Sequence, residues 1–292
     1  MGAKLAYYLL IIPISRLPFF MLYGLSDLTY FWLYRVFGYR KKVVLTNIEK
    51  SFPEKSKAEH KIMMDKFYRH FCDLVLESIK GFTISEDKIK RRMVFKNNEL
   101  LKPYFDQGKD IIMVGGHYNN WEYLAVGIGL CFDFIPVGIY KPLSSKFFDE
   151  KMRKSREKYG LRLTPMKETK NTFEADFGTP KAMIFGADQS PSNVERCHWT
   201  TFLNQDTPVF FGPEKFAKEF DLPVFFSTIH KVKRGHFEVV HQLITDKPRE
   251  TQPTEITEAH VRLLEKDINA NPEYWLWTHK RWKHSHRRPS NN

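Results

Sequence analysis

Cysteine is scarce in this chain: three among 292 residues, Cys72, Cys131 and Cys197, far apart and with no CxxC pair. That spacing excludes a disulfide framework and a cysteine zinc site, and it suits a body that faces the cytosol. No G-x-S-x-G stretch occurs, which removes the nucleophile elbow of a serine hydrolase. Helix-turn-helix, RNP-like and zinc-finger patterns are also missing, so the nucleic-acid readers that use them are disfavoured. There is no internal repeat, no low-complexity block and no linker in the middle of the chain. Its length therefore accommodates one sizeable α/β domain with an appendage. Finally, no uninterrupted apolar run exceeds the roughly 20 residues that a membrane-spanning helix needs.

What the chain does have is positive charge and aromatic rings. A net charge of +12 calls for an acidic partner: nucleic acid, anionic lipid or an acidic carrier protein. With 25 Phe, 13 Tyr and 6 Trp, the mixture suits a membrane interface, where rings sit at headgroup depth. It equally suits single-stranded nucleic acid, where bases stack on rings. Composition alone leaves the choice open.

Most of the apolar density sits at the N-terminus. Residues 5–12 (LAYYLLII) and 17–34 (LPFFMLYGLSDLTYFWLY) are apolar, interrupted by Pro13, Arg16 and Asp27. The length and the missing small-residue cleavage site argue against a signal peptide. Asp27 is costly in hydrocarbon, so the expectation is a helix lying in, or just crossing, the inner leaflet. Arg35, Arg40, Lys41 and Lys42 follow as positive-inside flanks. The competing reading is a pair of ordinary helices packed on the domain.

Beyond this segment, residues 55–82 carry Ile62, Met63, Phe67, Phe71, Leu74 and Ile79 at helical spacing. Short apolar runs at 110–116, 133–140, 181–187 and 222–229, each bounded by Gly, Pro or Asp, read as buried strands. Helical stretches near 144–159 and 213–220 lie between some of them. Arg234-Gly235 reads as a tight turn joining 224–232 to 236–244 as an antiparallel hairpin, and 254–270 as a closing amphipathic helix. The fold class expected is α/β, with a mixed, partly parallel central sheet flanked by helices and an N-terminal hydrophobic membrane helix. The expected divisions are an anchor over 1–38, a catalytic domain over 39–283 and a basic tail over 284–292.

The segment richest in chemistry is Gly115-Gly116-His117-Tyr118-Asn119-Asn120-Trp121-Glu122. A strand ends in two glycines, which let backbone and substrate approach closely, and then presents a histidine with a carboxylate five positions on. Ligand sites in open α/β sheets gather beyond the carboxyl ends of strands. With a helix starting near Asn119 or Asn120, Glu122 lies in its first turn and reaches back to the imidazole. There it fixes the tautomer and stabilises the imidazolium. His117 is then the general base and Glu122 its partner. By itself, H-x4-E is a weak pattern that arises by chance in many proteins.

GGHYNNWE resembles the H-[FY]-x-N-W-E form of the late lipid A acyltransferases, the lauroyl/myristoyl acyltransferase family. The likeness extends over roughly 35–283. Arg40-Lys41-Lys42-Val43-Val44 with Asn47-Ile48 and Phe52-Pro53-Glu54 resembles the family's "R…V…N…FPE" segment. Tyr140-Lys141-Pro142-Leu143 resembles its "YRP", Ala187-Asp188-Gln189 its "DQ" strand end and Phe210-Phe211-Gly212 its "FFG". Trp275 through Lys283 (WLWTHKRWK) resembles its "W-x-H-x-R-[FW]-K" terminus. Two departures fall on the acceptor side. Lys141 stands for the motif arginine, keeping the charge but losing the bidentate fork, and Ser190-Pro191 follow Asp188-Gln189 where the family commonly has "DQD".

The resemblance implies an acyl thioester donor, typically acyl carrier protein, an anionic lipid acceptor with a sugar-linked hydroxyl, and no metal or organic cofactor. It places the enzyme at the inner membrane with its site facing the cytoplasm. Lys141, Arg153 and Arg156 are candidate grips for lipid phosphates, and Asp188 a candidate for orienting a substrate or a basic residue. The backbone N–H groups around Gly115, Gly116 and Tyr118 are candidate oxyanion donors. Trp275, Trp277 and Trp282 read as core packing. Two rivals remain: the same chemistry on a lysophospholipid or another glycolipid or aminolipid, and a non-catalytic basic membrane protein.

Overall fold

The computed structural model of the chain describes residues 2–288, so the last four residues of the expected basic tail lie outside the described residues. Its centre is a seven-stranded sheet in the order β1-β9-β8-β2-β5-β3-β4. The strands are β1 (Met93–Phe95), β2 (Ile111–Gly115), β3 (Ile135–Tyr140), β4 (Arg162–Pro165), β5 (Lys181–Gly186), β8 (Val224–Lys233) and β9 (His236–Thr245). Every neighbouring pair is parallel except the β8–β9 hairpin, which turns at Arg234-Gly235. The sheet is thus mixed and mainly parallel, as the alternation of apolar runs and helices predicts. A separate hairpin pairs β6 (Cys197–Phe202) with β7 (Gln205–Phe210). It has no forecast in the sequence, because HWTTF and DTPVF are too polar to stand out as strands.

The central strands are apolar on both sides because both faces are covered. Ile112 and Val114 of β2 pack into one cluster with Val137, Met183 and Val224, while Ile111 and Met113 pack into another with Phe134, Ala182 and Phe225. Each of these Val, Ile, Met and Phe side chains, taken fully from water, contributes about 1.5–3 kcal/mol. Covering elements include α2 (Lys41–Ser51), α3 (Lys57–Gly81), α4 (Trp121–Gly127), α5 (Lys146–Glu157), α6 (Gly212–Phe220) and α7 (Glu255–Ala270). Helix α3 begins where Ser56 and Glu59 cap one another reciprocally. It then buries Met63, Met64, Phe67 and Leu74.

Before α2 the chain is helical over Gly2–Ala6, Tyr7–Ile11 and Ile12–Arg16. It breaks at Leu17-Pro18 and resumes as α1 (Phe19–Tyr30), continued by a wider-wound segment over Phe31–Val36. Among the described residues no helix is long and apolar enough to cross a membrane. The Phe19–Tyr30 helix turns Leu22, Ser26 and Tyr30 inward. Phe20, Met21, Leu28, Phe31, Trp32 and Phe37 stay exposed, Phe20 at 77% and Phe37 at 76%. Asp27 lies at the surface, its side chain 65% exposed, and pairs with Arg234 at 2.6 Å.

Candidate active site

Strands β2 and β5 run parallel, with Gly115 opposite Gly186. Two residues beyond each glycine the chain delivers a functional group: His117 after β2 and Asp188 after β5. The register therefore sets them side by side. His117 Nδ1 lies 2.6 Å from Asp188 Oδ1, and the His117 backbone N–H donates to Asp188 Oδ2 at 2.9 Å. Trp275 Nε1 donates to the same Oδ2 at 2.8 Å. Asp188 is a buried carboxylate with charge-assisted bonds to both oxygens. Burial opposes its charge, but His117's charge and these hydrogen bonds win, holding it well below the usual carboxylate range.

This carboxylate fixes the imidazole with its proton on Nδ1 and leaves Nε2 as the unprotonated nitrogen. About a quarter of the His117 side chain is exposed. Burial lowers its pKa, yet Asp188's charge and hydrogen bond, with Glu122's charge adding and Arg156's opposing, carry the net shift upward. Gln189 Nε2 sits 3.2 Å from His117 Nε2, and the Trp121 ring packs edge-on at 5.1 Å. Gly186 makes room for the ring: a Cβ there lies 3.1 Å from His117 Cε1. Gly116 is similarly confined, its Cβ position 2.8 Å from Leu264 Cδ1.

The predicted contact from Glu122 to the imidazole is replaced by another. Helix α4 begins at Trp121, capped by the Asn120 side chain, and its first turn aims Glu122 at α5. There Arg156 takes both carboxylate oxygens through Nε at 3.0 Å and Nη2 at 2.6 Å. The two side chains are only 13% and 24% exposed. The ring's orienting position is already filled by Asp188, so Glu122 acts on His117 through its charge, across the site. Arg153 is engaged by Glu157 at 3.3 Å, while Lys141 lies exposed just past the end of β3.

The motifs at the two chain ends meet. Arg40 Nη1 donates to Thr278 O at 2.9 Å, and Asn47 Nδ2 to Trp277 O at 2.9 Å and His279 O at 3.0 Å. His279 in turn accepts from Ser190 N at 3.0 Å, steadying the loop after Asp188. Burial pushes His279 down to about 4, which keeps it a neutral acceptor. Trp275 and Trp277 are buried, and Trp275 also bonds the Asp188 carboxylate, a role beyond packing. Gln189, Gly186 and His279 had no part in the sequence-based site, although the "DQ" strand end contains the first and the "W-x-H-x-R-[FW]-K" terminus the last.

The profile of the bacterial lipid A biosynthesis acyltransferases matches residues 3–284. The chain belongs to that family. It is an acyltransferase. Among curated proteins it is 20% identical over 250 residues to the lipid A biosynthesis palmitoleoyltransferase of Escherichia coli (strain K12), which covers 84% of this chain and 79% of that protein. It is equally similar, over the same shares, to the lipid A biosynthesis acyltransferase of Shigella flexneri. Across this family likeness His117 and Asp188 fall in the segments whose motifs suggested it, at the ends of two adjacent strands.

Proposed function

We propose that the protein transfers a fatty acyl chain from an acyl thioester, carried by acyl carrier protein, to a hydroxyl of a lipid A precursor, with His117 as general base. The observation that carries this reading is the His117–Asp188 contact of 2.6 Å, which engages Nδ1 and leaves Nε2 beside Gln189. The acceptor hydroxyl attacks the thioester carbonyl while Nε2 takes its proton. Asp188 stabilises the imidazolium that forms. The tetrahedral oxyanion collapses and expels the thiolate, which recovers the proton from Nε2. Nothing in this route requires a covalent enzyme intermediate, a metal or an organic cofactor. Glu122 and Arg156 act as a pair: Glu122 adds negative charge across from His117 and holds Arg156. Of the guanidinium's five N–H groups, those not given to Glu122 remain for the oxyanion or an acceptor phosphate. Gly115 and Gly116 keep the approach open, and Lys141 and Arg153 lie on the acceptor side.

The exposed apolar face of the first 38 residues sits in the cytoplasmic leaflet of the inner membrane as an interfacial anchor, with Arg35 and Lys42 towards anionic headgroups. The catalytic domain over 39–283 then faces the cytoplasm, followed by the basic tail. The positive charge of the chain also suits an acidic carrier. The test is mass spectrometry of lipid A and total lipids from a deletion strain complemented with the wild type or with His117→Ala. A lipid A missing one acyl chain, restored by the wild type and not by the variant, supports the reading. A change confined to another lipid moves the acceptor to a lysophospholipid or other glycolipid. No lipid change in either strain refutes the enzyme.

A further inference from the structure

The loop between His117 and Glu122 is held in an uncommon conformation. Asn119 has φ 55°, a left-handed backbone that must be secured by its surroundings. Its N–H donates to Tyr274 O at 2.9 Å and its Nδ2 to Ile229 O at 2.6 Å. Asn120 next to it caps α4: its Oδ1 accepts from Tyr123 N at 2.8 Å. An asparagine amide can present either end to a helix terminus, and only the oxygen satisfies an N–H. Here the other end decides. Asn120 Nδ2 donates to Glu77 Oε2 at 2.6 Å inside the protein. Ionised Glu77 only accepts, so the nitrogen faces Glu77 and the oxygen faces the helix; burial raises the Glu77 pKa to about 7, against the downward pull of the Tyr23 and Asn120 hydrogen bonds.

The second oxygen of Glu77 leads to the N-terminal segment. Tyr23 Oη, on the Phe19–Tyr30 helix, donates to Glu77 Oε1 at 2.7 Å. The same helix is fastened to α3 one turn away, where Ser26 Oγ donates to Asp73 Oδ1 at 2.7 Å and Arg234 bridges Asp73 and Asp27. Glu77 is 1% exposed and Asn120 is fully buried. A buried carboxylate held by two oriented donors, from elements 54 and 43 residues away in sequence, is costly unless both stay in place.

We infer that Glu77 is a positioning residue, through which the N-terminal helix orients the Asn120 cap and hence the segment between His117 and Glu122. It touches neither the reacting groups nor His117 itself. On this basis the membrane-facing helix belongs to the catalytic unit and is more than a tether. The effect on turnover rests on the acyl transfer proposed above; the effect on the loop does not.

The experiment compares the full chain with Glu77→Ala, Glu77→Gln and Tyr23→Phe. It measures acyl transfer from acyl carrier protein to a lipid A precursor in detergent, alongside hydrogen–deuterium exchange. Glu77→Ala is expected to lower kcat by about tenfold to a hundredfold, the range for a small misplacement of catalytic groups, with KM changed less than about twofold. Glu77→Gln restores most of the rate, its oxygen accepting from Asn120 and its amide donating to the Tyr23 hydroxyl. Tyr23→Phe falls between. Exchange speeds up over 117–127 in Glu77→Ala and stays unchanged in β2 and β5. Faster exchange throughout the sheet, with kcat following the folded fraction, makes Glu77 mere packing and overturns the inference. So does unchanged exchange over 117–127. A wild type without transferase activity refutes the proposed function instead, while the exchange measurement still decides the link.

Discussion

Replacing Asp188 by Asn tests the site most sharply, because the geometry dictates which way the new amide turns. Oδ2 accepts two fixed donors, the His117 N–H at 2.9 Å and Trp275 Nε1–H at 2.8 Å. An amide nitrogen placed there opposes two N–H groups. The nitrogen therefore occupies the Oδ1 position, 2.6 Å from His117 Nδ1. As a donor it forces Nδ1 to accept, which moves the ring proton to Nε2, the atom that must act as base. A wrong tautomer of this kind costs about 10⁴ in turnover in the Ser-His-Asp template. The same order here, about 10³ to 10⁴, corresponds to roughly 4–5.5 kcal/mol of barrier. KM is expected to change little, since Asp188 is buried behind the ring. Loss of the carboxylate also removes the main upward influence on His117 while burial continues to lower it. The acid limb of kcat/KM in the wild type, expected above pH 6.5, should therefore move to lower pH in the variant. A steady-state assay of acyl transfer between pH 5 and 9 measures both effects. An Asn variant within tenfold of wild type, or one with an unshifted acid limb, would refute the assignment of Asp188 as the orienting group.

Other outcomes follow from the same contacts. Gly186→Ala places a methyl 3.1 Å from His117 Cε1 and should lower kcat about tenfold, while the melting temperature stays within a few degrees. Glu122→Gln leaves Arg156 without its carboxylate; with the pair partly exposed, a loss of about 1–3 kcal/mol is expected, below the range for fully buried pairs. Adding Arg156→Gln should cost less than the sum of the single changes, as chemical denaturation of the four proteins would reveal. Trp275→Phe removes one bond to Asp188 and should raise the Asp188 pKa and cost about 1–3 kcal/mol, read by denaturation and by NMR titration of the carboxyl. Replacing Phe20, Trp32 and Phe37 together by Ser should abolish flotation with vesicles containing anionic lipid and leave the fold intact by circular dichroism, because Phe20 and Phe37 are largely exposed and Trp32 about half.

The chain itself determined a good deal. Apolar runs bounded by Gly, Pro and Asp placed β2, β3, β5 and the β8–β9 hairpin within a few residues, since strands buried on both faces must be continuously apolar. The helical spacing of apolar residues over 55–82 marked α3, and the family motifs pointed to the acyltransferases. The β6–β7 hairpin stayed hidden because its strands alternate polar and apolar residues weakly. The partner of His117 was decided only in three dimensions. In the sequence Glu122 is five residues away and Asp188 is 71. Proximity along the chain favoured the nearer carboxylate. The parallel register of β2 and β5 brings the distant one to 2.6 Å, while the first turn of α4 sends the nearer one to Arg156. Likewise the sequence showed an apolar N-terminus containing an acid. Only packing against α3 and Arg234 separated its exposed apolar side from the polar side that holds Asp27 and Tyr23. Local propensity and periodicity are written in neighbouring residues; register and the pairing of buried charges depend on which elements close upon one another.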